Sequence, residues 1–149
     1  MIKIVKAELN DNIVSQLIEL SKIWADEGVS FGLVPNTKDN LKEPCFIALD
    51  DEKVVGYVFG HFYETEKKTS YAEIGEKCFD IDEIYVLKEY RNKGIGRRLF
   101  QRIEEEVNNS AKFITLVTST KDYKKIMKFY DQDNKMTFHD AFFFKKCGK

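Results

Sequence analysis

Apolar and polar positions recur along the 149-residue chain with two different periods, and each change of period marks an element. Met1-Ile2-Lys3-Ile4-Val5-Lys6 alternates as a strand does. Over residues 12–27 the spacing becomes three and four, with Ile13, Leu17, Leu20 and Trp24 on one face. This predicts a helix capped by Asn10 or Asp11 and stopped at Gly28. From 30 to 44 the pattern weakens, and Gly32, Pro35 and Asn36 predict a loop or short helical turn. Residues 45–49 and 53–62 are β-rich runs joined at Asp50-Asp51-Glu52, which reads as a hairpin turn. The polar stretch 64–77 predicts a projecting loop or ragged hairpin, and 79–87 a further strand.

Helical spacing returns over 97–107, with Leu99, Phe100, Ile103 and Val107 on one face. Residues 113–117 predict a strand. Tyr123, Ile126, Met127 and Tyr130 fall at i, i+3, i+4 and i+7 and predict another helix; the β-rich stretch 136–144 predicts a closing strand. The order specifies one α/β domain over residues 1–149. Its strand-helix-strand units require at least one parallel strand pair, and hence a mixed sheet.

Composition removes several classes of function. Lys and Arg number 24 against 25 Asp and Glu, without the basic excess of a nucleic-acid protein. No apolar run approaches the ~20 residues of a membrane helix, and the N-terminus has no signal-peptide core. Cys45, Cys78 and Cys147 are odd in number and lack a C-x-x-C pair, as expected of reduced thiols in a cytoplasmic protein. His61 and His139 are far apart, so no metal site is expected, and both are read as hydrogen-bonded strand residues.

The chemistry concentrates between Ile81 and Leu99. A strand runs into a turn holding Gly94 and Gly96, and a helix starts there. The first N–H groups of a helix have no internal partners and form an anion site. Arg91, Lys93, Arg97 and Arg98 crowd that end, where the helix dipole disfavours cations. A bound pyrophosphate would turn this repulsion into attraction. The acidic run Glu104-Glu105-Glu106 has no such explanation and reads as a solvated face. A P-loop motif is absent, and Leu99 stands where a dinucleotide fingerprint needs a small residue.

Arg91-Asn92-Lys93-Gly94-Ile95-Gly96 matches [RQ]-x-x-G-x-[GA], with Glu89-Tyr90 before it and Lys128-Phe129-Tyr130 on the next helix. In these features the chain resembles the GNAT superfamily of N-acetyltransferases, and the likeness covers nearly the whole chain. The resemblance implies a mixed sheet of about six to seven strands flanked by about four helices. It implies acetyl-CoA as cosubstrate, its pyrophosphate cradled by the backbone from Asn92 through Lys93, Gly94, Ile95 and Gly96 to Arg97. The segment Ile84-Tyr85-Val86 would lie along the pantetheine arm, the main chain of Ile84 and Val86 pairing with it. Tyr130 would protonate the departing thiolate.

Ile81-Asp82-Glu83-Ile84-Tyr85-Val86 is similar to the polyamine-acetylating branch, where an acid in this strand is the base; by alignment that role falls on Asp82, with Glu83 its neighbour and Asp80 an outside candidate. Adjacent strand residues face opposite sides, so only one of them reaches the acceptor unless a bulge intervenes. Asp80 shares the parity of Asp82. The chain departs from the family in having Tyr123 where an Asn is common, and Asp133-Asn134-Lys135-Met136 in place of Gly-Phe. The implied acceptor is a small cationic or peptide amine; homodimers are common in such folds. The rival reading is a non-catalytic acyl-CoA-binding module, which would keep Arg91–Gly96 and dispense with Asp82, Glu83 and Tyr130.

Overall fold

A computed structural model describes residues 1–148. The strands are β1 (Ile2–Lys6), β2 (Cys45–Asp50), β3 (Lys53–Glu64), β4 (Lys77–Val86) and β5 (Phe113–Thr115); the helices are α1 (Asp11–Glu27), α2 (Ile95–Val107) and α3 (Tyr123–Lys128). One 5-stranded sheet has the order β1-β2-β3-β4-β5. The pairs through β4 are antiparallel, and β4–β5 is parallel. The mixed α/β sheet is as expected, with somewhat fewer strands and helices.

The helices form where period and caps agree. The Asn10 side chain accepts from the Ile13 N–H at 3.0 Å, and Gly28 ends α1 in the left-handed conformation at φ 66°. Along α2, Ile95, Leu99, Phe100, Ile103 and Val107 are buried against the sheet. Trp24 of α1 stacks on Tyr85 with ring centroids 4.9 Å apart, while Val86 lies beside Leu99 of α2 at Gly56. Consecutive strand residues face opposite sides, so α1 and α2 cover opposite faces of the sheet. The acidic face of α2 is partly paired, through Glu106 to Lys6 and Glu105 to Arg102.

The expected closing strand over 136–144 does not form. A strand needs a ladder partner, and among the described residues β5 pairs with β4 alone. The segment is tied down at separate points instead. The Met136 N–H bonds Tyr130 O at 3.0 Å, His139 meets Ser70, and Phe144 packs edge-on against Phe31. His139 is therefore not a strand residue.

The pairing of β3 with β4 is irregular at one point. Phe59 faces Glu83 and Gly60 faces Ile81, so Asp82 is an extra, bulged residue. Gly60 makes the close approach possible: a Cβ there would lie 2.1 Å from Asp80 O and 2.8 Å from the Phe79 ring. Gly60→Ala is expected to lower the unfolding free energy by about 1–3 kcal/mol, since a backbone atom cannot yield as a side chain can. Urea unfolding of the variant checks this.

Candidate active site

Only Cys78, Phe79 and Asp80 of β4 pair with β5. Beyond Asp80 the two strands diverge and open a cleft of about 1230 Å³. One end is walled by the loop that follows α1, with Phe31, Pro35 and Asn36. The other end is formed by the start of α2, with α3 alongside.

At the α2 end, Gly94 is the helix N-cap, at φ 77°, and no side chain caps it. Asn92 is also left-handed, at φ 62°. The N–H groups of Asn92, Lys93, Gly94, Ile95, Gly96 and Arg97 meet no acceptor among the described residues. Such a run of free donors at a helix start fits a pyrophosphate. Gly96 serves packing: a Cβ there would lie 3.2 Å from the Phe129 ring, so glycine lets the turn after α3 approach the helix start.

The expected basic cluster is dispersed. Arg98 donates to Ile2 O at 3.0 Å on β1, and Lys93 lies over the Tyr90 ring. Arg91 borders the cleft, but its Nε donates to Val86 O at 2.8 Å and its Nη2 to Glu27 at 2.9 Å. Arg97 lines the cleft, joined by Lys125 and Lys128 from the α3 segment. Lys128 stands in sequence only as part of the Lys128-Phe129-Tyr130 marker and Lys125 in no motif, because α3 is far from the signature along the chain.

The free edge of β4 faces the same space. The Leu87 N–H bonds Val55 O, toward β3. By alternation Tyr85 also faces β3, while Ile84 and Val86 turn their main-chain groups outward. Arg91 takes the Val86 carbonyl, leaving its N–H and both groups of Ile84 for an added extended chain.

The bulge brings both acids of the pair to one side of β4. The Asp82 carboxylate is held through Oδ2 alone, 2.9 Å from His61 Nδ1 and 3.2 Å from Lys42 Nζ. Glu83 is held through Oε1 alone, by Tyr57 OH at 2.8 Å and Asn36 Nδ2 at 3.0 Å. Each therefore keeps one oxygen without a protein partner among the described residues, and both residues line the cleft. Burial raises the Glu83 pKa above the usual carboxylate range; the Tyr57 and Asn36 bonds lower it in part, and the Asp82 charge raises it further. Asp80 is turned to Thr115 Oγ1 at 2.7 Å, and its pKa too is raised, chiefly by burial. His61, Asp80 and Asp82 come within 4.8 Å of one another, a grouping invisible in sequence. The Lys42 ammonium already supplies a cation there.

Tyr130 follows α3 in a π-helical turn, Phe129–Asp133. The Asn134 side chain closes that turn by donating to Phe129 O at 2.8 Å, and Lys135 takes the left-handed conformation at φ 55°. This is how the chain ends the helix without the family's Gly-Phe. Tyr130 lines the cleft, its hydroxyl makes no hydrogen bond among the described residues, and burial pushes its pKa up to about 12. Of the cysteines, Cys45 and Cys78 are buried and Cys147 is exposed, none in a disulfide. Burial pushes the Cys45 thiol up to about 12, so it stays protonated.

Residues 14–134 match the model of the acetyltransferase (GNAT) family. No curated protein sequence matches the chain. Among solved structures, an aminoglycoside acetyltransferase from an uncultured soil metagenomic sample is 20% identical, with TM-score 0.67, over 99% of this chain and 97% of its own. A predicted acetyltransferase from Clostridium acetobutylicum, solved with acetyl-CoA, is 19% identical, with TM-score 0.68, over 98% and 96%. AAC(6')-Iy in complex with a bisubstrate analogue of CoA and acetylneamine is 14% identical, with TM-score 0.65, over 99% of each chain. At these identities the likeness is one of fold. No helix is long and apolar enough to cross a membrane among the described residues.

Proposed function

The chain belongs to the GNAT acetyltransferase family, and on that premise we propose that it moves the acetyl group of acetyl-CoA onto a primary amine of a small cationic molecule. The observation that carries this reading is one cleft with free N–H donors from Asn92 to Arg97 at one end and the half-clamped Glu83 at the other. One solved structure of this fold is named an aminoglycoside acetyltransferase and another carries a bisubstrate analogue of CoA and acetylneamine, which supports a cationic small-molecule acceptor. A cytoplasmic setting suits its three unpaired thiols.

An alkyl ammonium has a pKa near ~10.4, so about one molecule in a few thousand is a free nucleophile at neutral pH. Glu83 removes the proton, directly or through water, with its unclamped Oε2; its raised pKa makes it a better base than an ordinary carboxylate. Asp82 keeps a fixed negative charge beside it and attracts the cationic acceptor. Loss of the acceptor proton lets the amine nitrogen attack the thioester carbonyl; the carbon–sulfur bond breaks as the amide forms, and the second proton shed by nitrogen passes to the departing thiolate. The leaving thiolate has a conjugate-acid pKa near ~8.5. Full proton transfer from the Tyr130 phenol, at about 12, is therefore uphill by roughly 5 kcal/mol, and Tyr130 acts first as a hydrogen-bond donor to sulfur.

A hydrogen bond to a charged acceptor contributes about 1.5–3 kcal/mol. Tyr130→Phe should accordingly lower kcat about ten- to a hundredfold, with acetyl-CoA affinity intact. Stopped-time thiol release checks the rate, and an unchanged kcat removes Tyr130 from the reaction. The proposal as a whole is tested by calorimetric titration of acetyl-CoA, followed by a thiol-release screen over di- and polyamines, aminoglycosides and N-terminal peptides. Release only with the small cations supports it, and release only with peptides moves the acceptor class. Binding without release from any amine favours a non-catalytic acyl-CoA-binding module.

A further inference from the structure

One charged residue that the reaction does not use joins the end of α1 to the residue just before the donor run. Glu27 is the last residue of α1, where the helix dipole disfavours an acid. Its carboxylate is largely buried and fully engaged. Oε2 accepts from Tyr85 OH at 2.9 Å, and Arg91 Nη2 lies 2.8 Å from Oε1 and 2.9 Å from Oε2. The same guanidinium caps Val86 O through Nε and lies 5.3 Å from the centroid of the Tyr85 ring, which stacks on Trp24. Arg91 immediately precedes the free N–H groups that run from Asn92 to Arg97. Its charge is thus spent on Glu27, and what it offers to an anion is the placement of the backbone that follows.

We propose that Glu27 is a positioning residue for the phosphate-binding loop. By holding Arg91 it fixes the start of the donor run, and so sets affinity for the phosphate-bearing part of the acyl donor. The proposal rests on the acetyl-CoA reading above. Glu27→Gln keeps the shape and an acceptor for Tyr85 while removing the charge that holds Arg91. With the variant, the Kd for acetyl-CoA should rise about tenfold because preorganisation is lost. At saturating donor, kcat should stay within about twofold. S-acetyl-pantetheine has the thioester and no phosphate, and its kcat/KM should not change.

Equal losses with both donors would mean a general structural role and overturn the proposal. Unchanged or tighter acetyl-CoA binding would overturn it as well. Arg91→Lys keeps a cation but cannot bond Val86 O and Glu27 together, so it should reproduce the donor-selective loss; full affinity in that variant counts against the proposal. If Glu27→Gln does not fold, Glu27→Asp supplies the same comparison through its shorter reach. A wild-type protein that fails to bind acetyl-CoA would remove the acetyl-CoA reading itself, whereas tight wild-type binding with an indifferent Glu27→Gln removes only the role of Glu27.

Discussion

Glu83→Gln is expected to lower kcat/KM at neutral pH about a hundred- to a thousandfold, the range in which general bases act, with acetyl-CoA binding unchanged. The glutamine oxygen can still accept from Tyr57 and Asn36, so the local structure survives the change. The pH dependence gives an independent check. In the wild type, kcat/KM should rise with pH through the raised Glu83 pKa, placing the acid limb above the ~4.3 of an unperturbed glutamate. The variant should lose that limb. Stability should move the other way. A carboxyl whose folded pKa is raised contributes stability that is present below its unfolded pKa and lost as pH rises through the folded value. At pH 7 the buried carboxylate is therefore a cost, and Glu83→Gln should unfold at a higher temperature than wild type. Little change in rate, with the acid limb retained, would transfer the role to Asp82, whose Oδ1 faces no protein donor among the described residues.

The second large effect is expected of Gly94→Glu. A Cβ at Gly94 would meet nothing within 4 Å, so bulk alone is tolerated. The left-handed φ of 77° adds about 1–2 kcal/mol of strain for any side chain. A carboxylate set among N–H groups that receive a pyrophosphate adds several kcal/mol of like-charge repulsion. Together these amount to about a thousandfold in Kd for acetyl-CoA. Gly94→Ala carries the strain without the charge and should lose tenfold or so. Calorimetric titration of both variants separates the two contributions. Retained affinity in Gly94→Glu would place the phosphate site elsewhere.

The local features of this chain were legible in its sequence because they depend on near neighbours. Helix α1 needs its three- and four-residue spacing, Asn10 at one end and Gly28 at the other, all within a short stretch of chain. The donor run needs only Gly94 in the left-handed conformation and a helix directly after it. The alternation of β1 and the β-rich runs of β2, β3 and β4 mark strands by similarly local rules, and the parallel pairing of β4 with β5 follows from the helix between them.

What only the tertiary structure decided is how distant side chains are used. Arg91 and Arg98 both look like phosphate ligands in sequence. Their partners, Glu27 and Ile2, lie 64 and 96 residues away and cannot be read from charge spacing. The orientation of Asp82 and Glu83 turns on a bulge, and that bulge is tied to the close approach of Gly60 on the neighbouring strand to Asp80 O. Parity along β4 alone would have left one of them outside. The closing segment over 136–144 has the composition of a strand but no ladder to join among the described residues. Period, caps and glycine conformation are properties of a few consecutive residues; pairing and charge compensation are properties of contacts that exist only after the chain has folded.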